Sequence, residues 1–236
     1  MIGIIGAMDL EVDGLKQKME NTDIDIIGNL TFYRGTLCGV ECVVAQSGIG
    51  KVNAAMCTQT MILQYNPAFI VHTGVAGGIG SGVRVGDVVL SSGLVQHDFD
   101  TTSVGDELGL LPMVNRVIIP VDEEWLALVE KEARMAYDGA VHVGIIATGD
   151  QFIGSAAKLR KIHQEFAAIA CEMEGGAVAQ VCYLNQVDFV VVRAISDNAD
   201  EEAQVSFQEF AAESAKKALV FLEHLLPKVQ QALDAR

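Results

Sequence analysis

Basic residues are scarce in this chain of 236 residues: 16 Lys and Arg stand against 31 Asp and Glu, a formal net charge of -15. A polyanion needs clustered cations to hold it, so no nucleic-acid partner is expected. Proline is rarer still, at 4 residues, and the 23 glycines are not gathered with it into a spacer. That composition favours tight turns within one unit over a flexible linker, and the chain reads as a single domain over 1–236. No apolar run approaches the roughly 20 residues that a membrane span requires. MIGIIGAMDLEV carries no basic leader ahead of a long apolar stretch, so no signal peptide is expected. The cysteines (Cys38, Cys42, Cys57, Cys171 and Cys182) are odd in number and scattered. Reduced thiols in a cytoplasmic protein fit that pattern better than a disulfide framework. Cys38 and Cys42 have no second Cys or His pair at ligand spacing, so no metal is expected. His97, in Gln96-His-Asp-Phe-Asp100, likewise has no second His at such spacing, and a loop or interface role suits it better.

Half the residues are hydrophobic, enough for a substantial core. Short apolar runs at Ile2 to Ile5, Cys42 to Ala45, Phe69 to Thr73, Val88 to Ser91, Val143 to Thr148, Ile169 to Cys171 and Phe189 to Ile195 read as strands. Many are apolar on both faces, as strands covered on both sides should be. Helical spacing runs from Val52 to Tyr65. A second helix, Glu123 to Tyr137, has Asp122 as its N-cap and Gly139 as its C-cap. A last helix is announced by a capping box of Ser206 and Glu209 and continues to about Leu226. The expected fold class is α/β, a three-layer α/β/α domain with its ligand near the carboxyl ends of the strands.

Three of those ends run into small or glycine-rich segments: Gly6-Ala7-Met8, Ser47-Gly48-Ile49-Gly50-Lys51 and Gly74-Val75-Ala76-Gly77-Gly78. Each alone reads equally well as a tight turn; three in succession point to a shared pocket rim. The second is no triphosphate loop, because Val52 follows Lys51 and the upstream glycine is missing. Acids stand beside these segments. Asp197 closes an apolar strand that also carries Arg193, and the two read either as a site or as an ion pair. Glu172 and Glu174 flank Met173 just ahead of a helix, and Glu11 sits in the first turn of another. All three also read as acids favoured by a helix dipole.

GIIGAM with Glu11, SGIGK, Thr73 to Gly78, GDQF at Gly149 to Phe152, EMEG at Glu172 to Gly175 and RAISD at Arg193 to Asp197 occur in this order. Together they resemble the 5'-methylthioadenosine/S-adenosylhomocysteine nucleosidases of the nucleoside phosphorylase superfamily, from residue 2 to the final helix. The resemblance implies a central mixed twisted sheet and a hydrolase that splits adenine from a 5'-substituted ribose without a cofactor. Such an enzyme serves methionine salvage and methyl-cycle recycling. By similarity, Asp197 protonates adenine N7, aided by Ser196 and Arg193, and Glu11 takes a proton from the attacking water. To carry its proton, Asp197 must sit where the carboxylate is disfavoured. Glu174 would accept hydrogen bonds from the ribose hydroxyls while Met173 packs on the sugar. Phe152 would stack on adenine, with backbone groups of Ile153 reading its edge. Met8, Ile49, Val75 and Phe207 match apolar pocket positions. Family members are homodimers in which the partner subunit covers the 5'-group, here with Val104 and Pro112.

A purine nucleoside phosphorylase of the same superfamily is the nearest alternative, but it needs cations for phosphate. Gly6 to Glu11 contains no basic residue, and His72 stands where such enzymes place Arg. A binding protein without catalysis would need no acid and base on opposite sides of a bond. Two regions depart from the family pattern. Val75 replaces a common Ser, and Thr102 to Asp106 carries Val104 and Asp106 where aromatics are usual. Asp106 would favour a cationic tail on the 5'-carbon, and an aminodeoxyfutalosine nucleosidase remains a further alternative.

Overall fold

Alternation along β1 (Ile2–Gly6) decides which helices lie on which side of the sheet. In the computed structural model, Ile2 and Ile4 turn into one apolar cluster with Val12, Leu15, Trp125 and Phe221. Ile5 turns the other way, to Ala54, Cys57, Met61 and Val178. A side chain at Gly3 would meet the Met61 sulfur at 2.6 Å, so glycine lets α2 settle close. The structure describes residues 1–198 and 203–236, with the backbone alone for 203–206, 208 and 209.

The first cluster is covered by α1 (Asp9–Lys18), α3 (Glu123–Ala136) and α6 (Ala203–Asp234), the second by α2 (Lys51–Tyr65) and α5 (Gly175–Asn185). Helices on both faces make the expected three layers. A further helix, α4 (Ala156–Phe166), buries Ile162 and Phe166 beside Val95 and Ala147. No helix among the described residues is long and apolar enough to cross a membrane.

In the mixed sheet, β1 lies between two parallel neighbours, β4 (Val40–Gln46) and β5 (Phe69–Gly78). Beyond β4, β3 (Leu30–Leu37) and β2 (Glu20–Ile27) add an antiparallel edge. Beyond β5 comes parallel β10 (Asp188–Asp197), then antiparallel β6 (Val88–Gln96). β6 carries the short β7 (Ile118–Pro120) and pairs in parallel with β8 (Val141–Thr148). β8 pairs with β9 (Ala168–Glu172), and β9 returns to β5 at Gly77 and Gly78. Five strands of the sheet thus close a ring. Ligand-sized space opens where the carboxyl ends of β1, β4, β5, β9 and β10 meet.

Three local expectations need correction. Gly74 to Gly78 is not a turn, since β5 runs straight through it. Those glycines give room rather than curvature: a side chain at Gly78 would press on Val83 and Ile195 at 3.0 and 3.1 Å. Gly139 does not cap α3, which stops at Tyr137 in extended backbone; Gly139 instead makes room for the Tyr137 ring. The N-cap holds, with the Asp122 side chain accepting from the N–H groups of Glu124 and Trp125. Finally, α6 does not end at Leu226 but passes through Pro227 to Asp234. A mid-helix proline costs about 3 kcal/mol, and the fully buried Leu225, Leu226 and Val229 around it offset that cost. α6 also begins at Ala203, so Ser206 lies within the helix and is not its N-cap; the side chains of Ser206 and Glu209 lie outside the described residues.

Candidate active site

β1 stops at Gly6, and the turn into α1 brings Glu11 back over the strand end. Its Oε2 accepts the N–H groups of Ala7 and Met8 at 2.7 and 2.9 Å, and its Oε1 accepts that of Val75 at 3.0 Å. Glu11 therefore does anchor the start of its helix, and it also turns a buried carboxyl toward the cleft. Burial raises its pKa, against the opposing pull of Arg193 and the three N–H donors. Val75, which lacks the hydroxyl of a Ser, contributes its backbone. A side chain at Gly74 would meet Glu11 Oε1 at 2.5 Å and Arg193 Nη1 at 2.9 Å, so this approach needs a bare backbone.

Arg193, fully buried on β10, pairs with Glu172 rather than with Asp197. Four residues along a strand span about 13 Å, too far for an ion pair, and a bulge between Ile195 and Asp197 shifts the register there as well. Glu172 also accepts from Thr148 Oγ1, and its Oε2 takes the N–H groups of Glu174 and Gly175 at 3.1 and 2.6 Å. Burial pushes its carboxyl up, but the charge of Arg193 and the hydrogen bonds from Thr148 and Arg193 outweigh that and hold it below the usual range. His72 closes the cluster. Its Nδ1 lies 2.9 Å from the Ile5 carbonyl, which only accepts, so Nδ1 bears the hydrogen and Nε2 accepts from Arg193. Burial first, then Arg193, push the imidazole down to about 3, and the ring is neutral.

Glu174 caps α5, and its Oε1 accepts the Gly50 N–H at 2.8 Å. Burial and the neighbouring Glu172 raise its pKa to about 7, with Arg193 opposing. His72, Glu172 and Glu174 place potential ligand atoms within 4.8 Å of one another, a spacing that would suit a metal ion. The Arg193 guanidinium already occupies that neighbourhood, touching His72 and Glu172 and lying 4.0 Å from Glu174. Charge is balanced there by an arginine.

The cleft, about 500 Å³, brings together Glu11, Glu174, Asp197, Ser196, Met173, Met8, Ile49, Val75, Phe152 and Phe207. Ile153 lines an adjoining recess with Phe152, Cys171 and Asp197. Asp197 is buried and accepts from Ser196 Oγ at 2.9 Å. Phe152 and Phe207 meet edge to face, ring centres 5.8 Å apart, at the open side. Arg193 stands behind this wall and does not line it. Val104 and Pro112 lie outside the cleft of their own chain and are exposed, as is Asp106. Among the described residues the cleft wall carries Glu11, Glu172, Glu174 and Asp197 and no lysine or arginine. Sequence reasoning undervalued Glu172 and His72, whose signal was a charged and a polar residue inside otherwise apolar strands.

A family model for the phosphorylase superfamily matches residues 1–227. The 5'-methylthioadenosine/S-adenosylhomocysteine nucleosidase of Staphylococcus haemolyticus (strain JCSC1435) is 42% identical over 227 residues, covering 96% of this chain and 99% of its own. A crystal structure of the Neisseria meningitidis nucleosidase of that name, in complex with methylthio-immucillin-A, is 36% identical. It superposes with a TM-score of 0.91 over 95% of this chain and 97% of that one. The futalosine hydrolase of Helicobacter pylori strain 26695 is also 36% identical, with a TM-score of 0.91 over 96% and 97% of the two chains. Fold and site together thus define a protein of the phosphorylase superfamily. Within it, the chain belongs to the 5'-methylthioadenosine/S-adenosylhomocysteine nucleosidase family.

Proposed function

We propose that this protein is an N-ribosyl hydrolase that cleaves 5'-methylthioadenosine, S-adenosylhomocysteine or both, releasing adenine and the 5'-substituted ribose. One observation carries the choice of water over phosphate. The cleft wall holds four acids and no basic side chain among the described residues, and Arg193 behind it is engaged by Glu172. A phosphate dianion there would be repelled, whereas a ribosyl cation forming as the bond breaks would be stabilised. In this reading Asp197 protonates adenine N7 and Glu11 takes a proton from water. Glu174 holds the ribose hydroxyls over Met173, and Phe152 and Ile153 enclose the base. Adenine release should persist at full rate in phosphate-free buffer. A rate that vanishes there and returns with phosphate would make the protein a phosphorylase.

Glu174 gives the reaction a pH signature. As an acceptor for two hydroxyls it works best ionised, and its pKa in the free protein is raised to about 7. Hence kcat/KM should fall as pH drops through that value, and Glu174→Gln should lower kcat/KM yet flatten the limb. The sign for stability is opposite. A raised carboxyl favours the folded state while protonated, so its contribution is full below the ordinary value of 4.5 and is lost as pH rises through about 7. Thermal melts of the unliganded protein across that range check it. A limb that Glu174→Gln leaves in place would belong to another group.

The same reading makes the chain one nucleosidase domain over residues 1–236, working as a homodimer in the cytoplasm. Val52, Met56 and Leu63 form an exposed apolar stripe along α2, 78%, 48% and 72% accessible, which a second copy would cover. Five free cysteines suit a reducing compartment. The likeness to a futalosine hydrolase adds a futalosine-type nucleoside to the substrates worth assaying beside the two above.

A further inference from the structure

Three residues outside the reacting centre close a ring of hydrogen bonds at the rim of the cleft. Lys51 Nζ donates to Asp98 Oδ1 at 2.6 Å, and the Asp150 N–H donates to Asp98 Oδ2 at 2.8 Å. The Lys51 N–H donates to Asp150 Oδ1, also at 2.8 Å. Lys51 opens α2, Asp98 follows β6 and Asp150 follows β8, so the ring ties three separate segments. The Lys51 and Asp98 side chains are only 18% and 17% accessible, which strengthens the pair beyond that of a surface salt bridge. Burial disfavours the Asp98 carboxylate, but Lys51 and the Asp150 N–H outweigh it and hold its pKa below the usual value. The joint is tight on both sides. A side chain at Gly149 would strike the His97 ring at 2.3 Å, and one at Gly50 would meet Asp150 Oδ1 at 3.1 Å with φ at +96°.

Each end of the ring leads into the site. Gly50, the residue before Lys51, donates its N–H to Glu174 Oε1 at 2.8 Å, and Phe152 stands two residues beyond Asp150. Resting on the nucleosidase reading above, we infer that Lys51, Asp98 and Asp150 are positioning residues: a clasp that holds the Gly50 N–H on Glu174 and Phe152 over the base. None of them lines the cleft, so they act through those two residues. Gly50 is one of the groups that draw the Glu174 pKa down. Glu172, Arg193, Glu11 and His72 also face Glu174, and changes to the clasp leave all four in place. Opening the clasp should therefore loosen ribose and base binding and move the Glu174 limb upward, with the chemistry spared.

The test compares Lys51→Met, Asp98→Asn and Lys51→Arg in the full chain, with 5'-methylthioadenosine as substrate and circular dichroism to verify folding. Asn at 98 has one acceptor for two donors, so one link must open. The first two variants should raise KM about three- to tenfold and leave kcat within about twofold. Their acidic limb of kcat/KM should rise by about half a pH unit. Lys51→Arg, which keeps the charge and the donors, should stay near wild type. Unchanged KM and limb in both variants, or a Lys51→Arg protein as impaired as Lys51→Met, would overturn the clasp. Should Asp98→Asn fail to fold, the two Lys51 variants decide the matter alone. If wild type releases no adenine, or Glu174→Gln leaves the limb intact, the site reading falls and takes the clasp with it. If wild type and Glu174→Gln behave as proposed and the clasp variants do not, the clasp alone is wrong.

Discussion

Asp197→Asn should lower kcat for adenine release by about 10² to 10⁴-fold with little change in KM, the range that general acid catalysis commands. The substitution is nearly isosteric, and an amide oxygen can still accept the Ser196 hydroxyl that now lies 2.9 Å from Oδ2. What disappears is the proton. Adenine leaves poorly as an anion, so the barrier rises even though the cleft keeps its shape. A second substrate separates this role from a structural one. A 5'-substituted riboside of p-nitrophenol departs as a stable anion and needs no acid, so Asp197→Asn should slow it by less than about tenfold. Equal losses on both substrates would mean that Asp197 holds the cleft together and does not donate. Retention of wild-type adenine release would remove it from the mechanism altogether.

Most of the strands that sequence periodicity marked are buried on both faces, β8 with its half-buried 142–145 being the exception, and each was displaced only at its ends. β2 escaped because Glu20–Ile27 lies on the sheet edge with exposed Ile24 and Ile26, so no buried face shaped its sequence. β3 alternates buried and accessible residues, but Thr31, Arg34 and Gly35 break up the apolar signal in a short run. α4 does carry an apolar stripe, Leu159, Ile162 and Phe166 on one face, and it was legible in the sequence but passed over. At the site, Glu11, Glu174 and Asp197 were legible because each stands at or just after a strand end, where ligands gather. The partner of Arg193 was not. Asp197 was the nearby carboxylate in sequence, but four residues along a strand span about 13 Å, and the sharp turn after Glu172 brings that acid to the guanidinium instead. The clasp was hidden for a similar reason. Lys51, Asp98 and Asp150 are far apart in the chain: the pairing of β6 with β8 brings the two acids together, and α2, entered from β4, sets Lys51 beside them.

Glu11→Gln should also reduce turnover by about 10² to 10⁴-fold, and by a different route. Both oxygens of Glu11 are occupied, one by the Ala7 and Met8 N–H groups and one by the Val75 N–H. A glutamine has a single oxygen. Facing it toward Ala7 and Met8 keeps two bonds and sets the amide nitrogen against the Val75 N–H; the reverse orientation loses two. The first is cheaper, and the stranded donor should cost about 1 to 3 kcal/mol of stability. Loss of the carboxylate removes the group that burial has made more proton-hungry than an exposed Glu, which is what activating water requires. Substrate should therefore still bind Glu11→Gln within a few-fold of wild type while single-turnover adenine release collapses. Binding lost in proportion to turnover would make Glu11 a scaffold for the β1–α1 turn and nothing more. A variant that keeps more than about a tenth of wild-type kcat would place the base elsewhere, because even the weak end of general base catalysis exceeds that factor.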